Sequence, residues 1–370
     1  MSARGLGIVG WGAAGRLMAE AVSRTSRFHL AGVADADPAT RERAAQETGR
    51  PAYANAEALA AAEDVEIVYV ATPTASHVSD IRAAAEHGRH VISEKPLAAT
   101  FEDARRAVES TERAGVSLLV GATHSYNAPV EILRGVVESG RLGELVSVSS
   151  VCHTDWRLRS RSVVDLDASL GNGVVLRQGA HQIDVLRYVC GGLAETVTGT
   201  TFGGSGGREL GFTAQLAFAG GAQASAYYSG AGGFDSRLLT GGVGELGTLD
   251  VVPTPELARF FPPPSSGPVS PVFGTLVATF TAGGAWVAPS GVLLVTPERV
   301  FEEAVGGRLS GWDAVLCEAD AVLAGRPAVH SGRWGLATLE ASLAVHESDR
   351  AGRRVELVHQ VGVGRPSQQS

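Results

Sequence analysis

Lys95 stands in Ser93-Glu94-Lys95-Pro96, directly after the short apolar run His90-Val91-Ile92. A lysine at the carboxyl end of a parallel strand borders the crevice in which a dinucleotide lies, and there its amine can accept the proton of a substrate hydroxyl. Such a dinucleotide site is written upstream. Gly10-Trp11-Gly12-Ala13-Ala14-Gly15 follows one apolar run and opens a helical pattern. Glycines at this spacing permit the tight turn, the approach of backbone to pyrophosphate and close helix-strand packing, while the helix N-terminus supplies N–H groups. Lysine and loop together point to redox chemistry.

The remaining cofactor contacts follow from the same geometry. The next strand ends Ala34-Asp35-Ala36-Asp37, and an acidic residue ~20 or more positions past the glycines is where the adenosine ribose hydroxyls are held. Asp35 accepts from both hydroxyls and repels a 2′-phosphate, and no arginine follows it at once, so NAD is expected ahead of NADP. Asp37, before Pro38, is the better helix cap. The third strand ends Ala71-Thr72-Pro73, which places Thr72 and Pro73 beneath the cofactor beside Glu94 and Lys95; His77, one turn into the next helix, reads as a packed structural histidine.

These residues need a scaffold, and the first 122 residues provide one. Strand-like runs at 6–9, 29–34, 65–71, 90–92 and 117–120 alternate with helical patterns at 13–23, 39–48, 75–86 and 101–114, the signature of a doubly wound parallel sheet wrapped by helices. The rhythm then changes. A helix over 127–139 leads to a strand-like run at 145–151, an irregular excursion over 155–173, a helix over 179–189 and short strand-like runs at 195–201, 211–217, 222–228 and 292–295. Strands in succession predict an α+β domain on a large, mostly antiparallel open sheet. The expected division is a Rossmann domain over 1–123, an α+β substrate-binding and oligomerisation domain over 124–362, and a flexible tail over 363–370. Two loops are expected, at 202–208 and in the proline-rich 253–271; helical patterns close the chain at 312–324 and 334–349.

Bulk properties exclude other classes. A net charge of -8 gives no cationic surface for nucleic acid or an anionic membrane. No stretch approaches the ~20 apolar residues of a membrane span, and a strand pattern begins within five residues of the first methionine, so a cytoplasmic protein is expected. Cys152, Cys190 and Cys317 lack C-x-x-C spacing and predict neither a metal site nor a disulfide.

Four motifs in order, Gly10-x-Gly12-x-x-Gly15, Ala71-Thr72-Pro73 with His77, Glu94-Lys95-Pro96 and Gly179-Ala180-His181-Gln182-Ile183-Asp184, resemble those of the glucose-fructose oxidoreductase / inositol dehydrogenase / MocA family. The resemblance covers nearly the whole chain, through Gly332-Arg333-Trp334-Gly335. It implies a nicotinamide cofactor, hydride transfer at a carbinol or carbonyl carbon of a sugar, polyol or cyclic diol, assembly into dimers or tetramers, and Lys95 with His181 as the catalytic pair. Many members carry an aspartate four residues before this histidine; here Arg177 stands in its place. With Thr154-Asp155-Trp156 and Gly233-Phe234-Asp235-Ser236, the chain looks similar to the branch named for 4,5-dihydroxyphthalate (phthalate cis-dihydrodiol) dehydrogenases.

Arg157, Arg159 and Arg161 alternate with Leu158, Ser160 and Ser162, so an extended chain puts all three on one side. With Arg177 they are candidates for a pocket that binds an anionic substrate, since guanidinium groups suit carboxylates; bridging of Asp155, Asp165 and Asp167 is the alternative. His124 is a further substrate-side candidate. The expected function is an NAD(P)-dependent dehydrogenase of a cyclic alcohol or diol, with or without a carboxylate. The alternatives are a sugar or inositol dehydrogenase and a non-catalytic NAD(P)-binding regulatory protein.

Overall fold

The computed structural model describes residues 3–121, 124–158, 173–203, 209–249, 251–252, 254–264 and 267–364. They form two compact units, and the division is not linear in sequence: Met1–Ala122 joins Trp312–Leu339 and Gly364–Ser370 in unit 1, while Thr123–Gly311 joins Glu340–Val363 in unit 2.

Unit 1 begins β1 (Arg4–Val9), α1 (Ala13–Ser23), β2 (Phe28–Ala34), α2 (Pro38–Thr48), β3 (Ala52–Tyr53) and α3 (Ala56–Ala60). It continues β4 (Ile67–Val70), α4 (Thr74–Glu86), β5 (His90–Ser93), α5 (Phe101–Ala114) and β6 (Leu118–Val120). The sheet is parallel throughout, in the order β3-β2-β1-β4-β5-β6. This order reverses direction between β1 and β4, and a ligand crevice opens beyond the carboxyl ends of strands at such a point. Helices cover both faces, so the strands are unbroken apolar runs: all four residues of β4 are buried. Local signals agree with the elements. Asp37 caps α2 by accepting the Thr40 N–H (2.9 Å) ahead of Pro38, and Thr100 does the same for α5 through the Asp103 N–H (3.2 Å).

Unit 2 begins α6 (Ala128–Ser139), β7 (Leu145–His153), a 3₁₀ turn (Trp156–Leu158), a π-helical turn (Val175–Gly179) and α7 (Ala180–Val189). Then come β8 (Ala194–Phe202), β9 (Gly211–Phe218), β10 (Gln223–Ser229), a second 3₁₀ turn (Ser236–Thr240), α8 (Pro255–Ala258), β11 (Thr275–Phe280), β12 (Gly283–Ala288), β13 (Gly291–Val295) and β14 (Val300–Ala304). The chain closes with α9 (Gly311–Leu323), α10 (Gly332–Ala351) and β15 (Val355–Glu356).

The nine-stranded sheet runs β14-β13-β12-β11-β7-β10-β9-β8-β15 and is antiparallel except for the β7/β10 pair. One face is covered. Leu276 and Ala278 of β11, Ala285 and Val287 of β12 and Leu294 of β13 are buried, and α6 and α7 contact this sheet. The intervening residues Val277 and Trp286, directly opposite each other, are about two-fifths exposed, which is the alternation of a sheet with one open face. The fold class is therefore the expected one, a doubly wound parallel sheet followed by an α+β domain. Strands β11, β12 and β14 and the short β3, α3, α8 and β15 are additions to the sequence reading, α8 lying within the expected 253–271 loop.

In unit 1 the last helix explains a motif. A Cβ on Gly335 would lie 2.3 Å from Val120 Cγ2 and one on Gly332 2.8 Å from Leu118 Cδ2. The two glycines let the start of α10 press onto β6. Trp334 between them in sequence is wholly buried, its ring edge to face with His330.

Candidate active site

The candidate cofactor site is built on unit 1, where β1 and β4 end side by side. Gly10 leaves β1 at φ +95°, and a Cβ there would sit 2.7 Å from the Ala71 carbonyl oxygen, so the first glycine is required by both backbone conformation and space. A Cβ on Gly15 would meet the Gly10 carbonyl oxygen at 2.2 Å, which only glycine avoids. Around Gly12 the opposite holds: a Cβ there would have no neighbour within 4 Å. The second glycine thus borders open space at the start of α1, with no side chain capping the helix and the N–H groups of Ala13, Ala14 and Gly15 in its first turn. This is a cradle shaped for a pyrophosphate, and the residues fit a dinucleotide.

Asp35 follows β2 and is half-buried. One carboxylate oxygen accepts the Trp11 N–H (2.9 Å) and the other the Asp37 N–H (3.0 Å), so the side chain is fixed against the glycine loop, and each oxygen retains a further lone pair for a ribose hydroxyl. Trp11 is itself pinned through its indole N–H to Glu47 (2.7 Å). Arg41 spends its guanidinium on the Asp35 carbonyl (2.8 Å). Thr72 sits at the mouth of β4, but its hydroxyl turns into α4 and donates to Asp80 (2.7 Å). Pro73 occupies the cap position of that helix.

His77 is buried and spans two loops: Nε2 lies 2.9 Å from the Thr72 carbonyl and Nδ1 3.0 Å from the Pro96 carbonyl. It is the packed structural residue expected. Burial, and to a smaller degree the Lys95 charge, hold its pKa below the usual histidine value against the pull of those carbonyls.

Lys95 follows β5, half-buried, joined to Pro96 by a cis peptide. It is the only lysine of the chain; the other 30 of the 31 lysines and arginines are arginine. That contrast is chemical as well as numerical, because a guanidinium does not deprotonate in a protein whereas an amine does. Glu94 beside it accepts the Lys95 N–H on one oxygen (3.2 Å) and the Tyr69 hydroxyl on the other (2.5 Å). Burial pushes the Glu94 carboxyl up from its ordinary range, opposed by those two donors and by the Lys95 charge.

Unit 2 holds the histidines. His181 opens α7 directly after the π turn, a rare geometry that concentrates at functional sites. Three interactions set the helix. Glu209 accepts the Val175 N–H (2.6 Å) while its other oxygen pairs with His346 (2.6 Å). Gln182 donates to the Ser150 hydroxyl (2.8 Å) and the Tyr227 carbonyl (3.1 Å), tying α7 to β7 and β10. A Cβ on Gly179 would strike the Phe212 ring at 2.6 Å, so that glycine gives the ring its place. Held this way, the His181 ring meets His124 edge to face at 4.4 Å, and Phe273 packs on both, 4.8 Å from His124 and 5.3 Å from His181. Asn127 donates to His124 Nδ1 (3.3 Å), which leaves Nε2 as the protonated nitrogen.

Phe273 also walls a cavity of about 340 Å³ lined by His153, Thr154, Asp155, Ser236 and Arg237 among others. The size suits a small cyclic ligand. His153, at the end of β7, is ringed by Tyr227 (5.3 Å) and Phe234 (5.5 Å), and burial lowers its pKa despite the nearby Asp235 charge. Arg237 is held by Asp235 through two contacts, at 3.0 and 2.7 Å.

Of the sequence candidates, the structure brings His124 and His181 together, and Gly10, Gly12, Ala13, Ala14, Gly15 and Asp35 around one loop with Thr72 and Pro73 next to it. Arg177 is half-buried in the π turn and Arg157 is exposed in the 3₁₀ turn, neither being among the residues that line the cavity; Arg159 and Arg161 lie outside the described residues. His153 and Arg237 are additions. Extending the strand run at 145–151 by two residues would have pointed to His153, since polar side chains at a strand's end face a site. Among the described residues, no cluster of three or more metal-ligating side chains occurs, and no helix is long and apolar enough to cross a membrane.

A glycine cradle at the switch point of a 3-2-1-4-5-6 sheet, with a lysine at the next strand's end, defines a nicotinamide-dependent oxidoreductase fold. Residues 4–122 match the Gfo/Idh/MocA family model described as "Oxidoreductase family, NAD-binding Rossmann fold", and residues 130–249 match the family's C-terminal domain. The chain belongs to this family. A crystal structure from Bordetella bronchiseptica RB50, provisionally named a dehydrogenase, superposes with a TM-score of 0.88 at 31% identity, over 96% of this chain and 100% of that one. The 1-carboxy-3-chloro-3,4-dihydroxycyclohexa-1,5-diene dehydrogenase of Comamonas testosteroni is 34% identical over 65% of this chain and 62% of its own length. Inositol 2-dehydrogenase of Rhizobium meliloti is 29% identical over 52% of this chain and 57% of its own length. The chain thus spans less than two thirds of these curated relatives.

Proposed function

We propose that the protein is an NAD-dependent dehydrogenase of a cyclic alcohol or diol, with Lys95 and His181 as its proton-handling groups. The observation that carries the reading is the identity of residue 95: a chain that uses arginine for every other cation of its side chains keeps its one deprotonatable amine at the end of β5. Gly10, Gly12, Ala13, Ala14 and Gly15 hold the pyrophosphate, Asp35 the ribose, and Thr72, Pro73 and Glu94 border the cradle. When bound there, NAD would supply the hydride acceptor for oxidation and, reduced, the hydride donor for the reverse. The Lys95 amine takes the hydroxyl proton of the alcohol in oxidation and returns it in reduction, and His181, stacked with His124, orients the hydroxyl.

The cavity beside Phe273 takes the ring of the substrate. A carboxylated diol is favoured by the likeness to the Comamonas testosteroni enzyme, with Arg237 as the cation in the cavity wall able to meet its carboxylate. An inositol or sugar is the second reading, favoured by the hydroxyl and carboxylate acceptors Thr154, Asp155 and Ser236 in the same cavity. NAD is favoured over NADP by the Asp35 carboxylate and by the commitment of Arg41 to a backbone carbonyl. The apolar row Val277, Trp286 and Leu293 on the open sheet face supports a homodimer or homotetramer, and nicotinamide chemistry suits the cytoplasm.

The test is NADH formation by the purified protein with NAD⁺ and a panel of cis-cyclohexadienediols with and without a ring carboxylate, myo-inositol and aldoses. Turnover of a carboxylated diol at least tenfold above the others supports the first reading, and preference for inositol or an aldose the second. Tight NADH binding with no turnover of any alcohol would contradict both.

A further inference from the structure

A residue outside both matched segments reaches the loop of the lysine. Trp312, in the first turn of α9, donates its indole N–H to the Tyr69 hydroxyl oxygen at 3.1 Å. Tyr69, wholly buried in β4, donates in turn to Glu94 Oε1 at 2.5 Å, and Glu94 Oε2 accepts the backbone N–H of Lys95 at 3.2 Å. An indole N–H and a backbone N–H can only donate. With its oxygen already accepting from Trp312, the tyrosine has one place left for its own hydrogen. Every hydrogen along the chain therefore points at Glu94, an arrangement that suits a carboxylate, which accepts on both oxygens with no proton of its own to place.

The donors are also neutral, and this is the feature that matters for Lys95. An arginine in place of Tyr69 would stabilise the carboxylate and cancel its charge; a phenol and an amide stabilise it and leave the charge to act on the neighbouring amine. Among the described residues around Glu94, a side chain on Gly121, just after β6, would meet Glu94 Oε1 at 3.7 Å, but glycine brings no charge; α9 brings the neutral indole; and His77, from α4, is a titratable group that senses Lys95.

We propose that Trp312, Tyr69 and Glu94 are positioning residues for Lys95: a one-way relay of neutral donors fixes a carboxylate against the lysine's own backbone and so sets both where its amine stands and how basic it is. The inference rests on the reading of Lys95 as the proton-handling residue. It makes a segment 217 positions away in sequence part of the lysine's environment.

Because Lys95 is the only lysine, protein labelled with ¹³C,¹⁵N-lysine gives a single side-chain signal, and its titration reads the amine directly without any substrate. Glu94→Gln should lower the Lys95 midpoint by about one pH unit or more, since an adjacent opposite charge shifts a group by roughly that amount. Tyr69→Phe and Trp312→Phe should move it in the same direction by less, with NADH affinity kept within about twofold and the rising limb of the kcat/KM pH profile following the NMR midpoint. A midpoint unchanged in Glu94→Gln overturns the inference; if that variant does not fold, an unchanged midpoint in Tyr69→Phe does the same. The two levels separate cleanly. Full turnover by Lys95→Met would overturn the catalytic role while leaving the electrostatic coupling measurable, whereas an unmoved midpoint would overturn the coupling while leaving the role intact.

Discussion

The imidazole rings of His124 and His181 meet edge to face with their centroids 4.4 Å apart, both nearly inaccessible to water. The contact joins the segment leading into α6 to the first turn of α7, two elements 57 residues apart in sequence, and Phe273 closes the cluster from a third. Since Asn127 fixes the tautomer of His124, the pair presents a defined edge to whatever occupies the neighbouring space. His181→Asn should lower kcat by ~10²-fold or more, the usual scale for a lost proton-handling group, with NADH affinity unchanged within twofold. His124→Phe, which keeps the stacking and removes the polar edge, should cost less. Steady-state kinetics with an NADH fluorescence titration reads both.

Asp35 is anchored at both oxygens by backbone N–H groups, so its replacement alters the ribose contact and the glycine loop together. Asp35→Ser should raise KM for NAD⁺ by about tenfold, equivalent to ~1.4 kcal/mol, and narrow the preference over NADP⁺ by removing the charge that repels a 2′-phosphate. The ratio of kcat/KM for the two cofactors gives the answer.

His77 yields a prediction for stability against pH. Its folded pKa is depressed by burial, so protonation favours the unfolded chain; the stability it contributes is fully present above the unfolded value of about 6.5 and is lost as pH falls through the lowered folded value. Denaturant titrations should show the wild type losing stability below pH ~6.5 with a contribution from this residue of at most about 1.4 kcal/mol per pH unit. His77→Gln should start less stable at pH 8 and lose less on acidification. Parallel curves for the two proteins would contradict the assignment.

On the open face of the nine-stranded sheet, Val277 and Trp286 are directly paired and Leu293 lies beyond them. If this row is buried between protomers, Trp286→Glu should reduce the mass measured by light scattering to that of one chain while leaving the far-ultraviolet dichroism unchanged. A wild type that is already monomeric at micromolar concentration would contradict the oligomer reading.

The parallel sheet and its loops were legible because their signals are local: apolar runs of four or five residues, a glycine loop between strand and helix, and caps such as Asp37 and Thr100. The same holds for Lys95 and for the His181 motif. Strand β11, Thr-Leu-Val-Ala-Thr-Phe, carries the alternation of a half-buried strand, but the rest of what escaped has no local signature. Strand β12 begins with two glycines and reads as a turn, while β14 is Val-Phe-Glu-Glu-Ala at the sheet edge, half solvated and without a buried face. Only pairing with β11 and β13 makes strands of them. The π turn arises from i→i+5 bonding, which no spacing of residues announces, and it places Arg177 on a turn where an α-helix would be assumed. The Trp312 to Tyr69 bond joins two residues 243 positions apart and could not be inferred from either neighbourhood.

The central claim is that the Lys95 amine, and not merely its positive charge, handles the substrate proton. Lys95→Arg keeps the charge and removes the ability to deprotonate. Measured as kcat with NAD⁺ and the best alcohol of the panel at neutral pH, this variant should lose ~10²–10⁴-fold while binding NADH as the wild type does. Turnover within a few-fold of wild type would contradict the account.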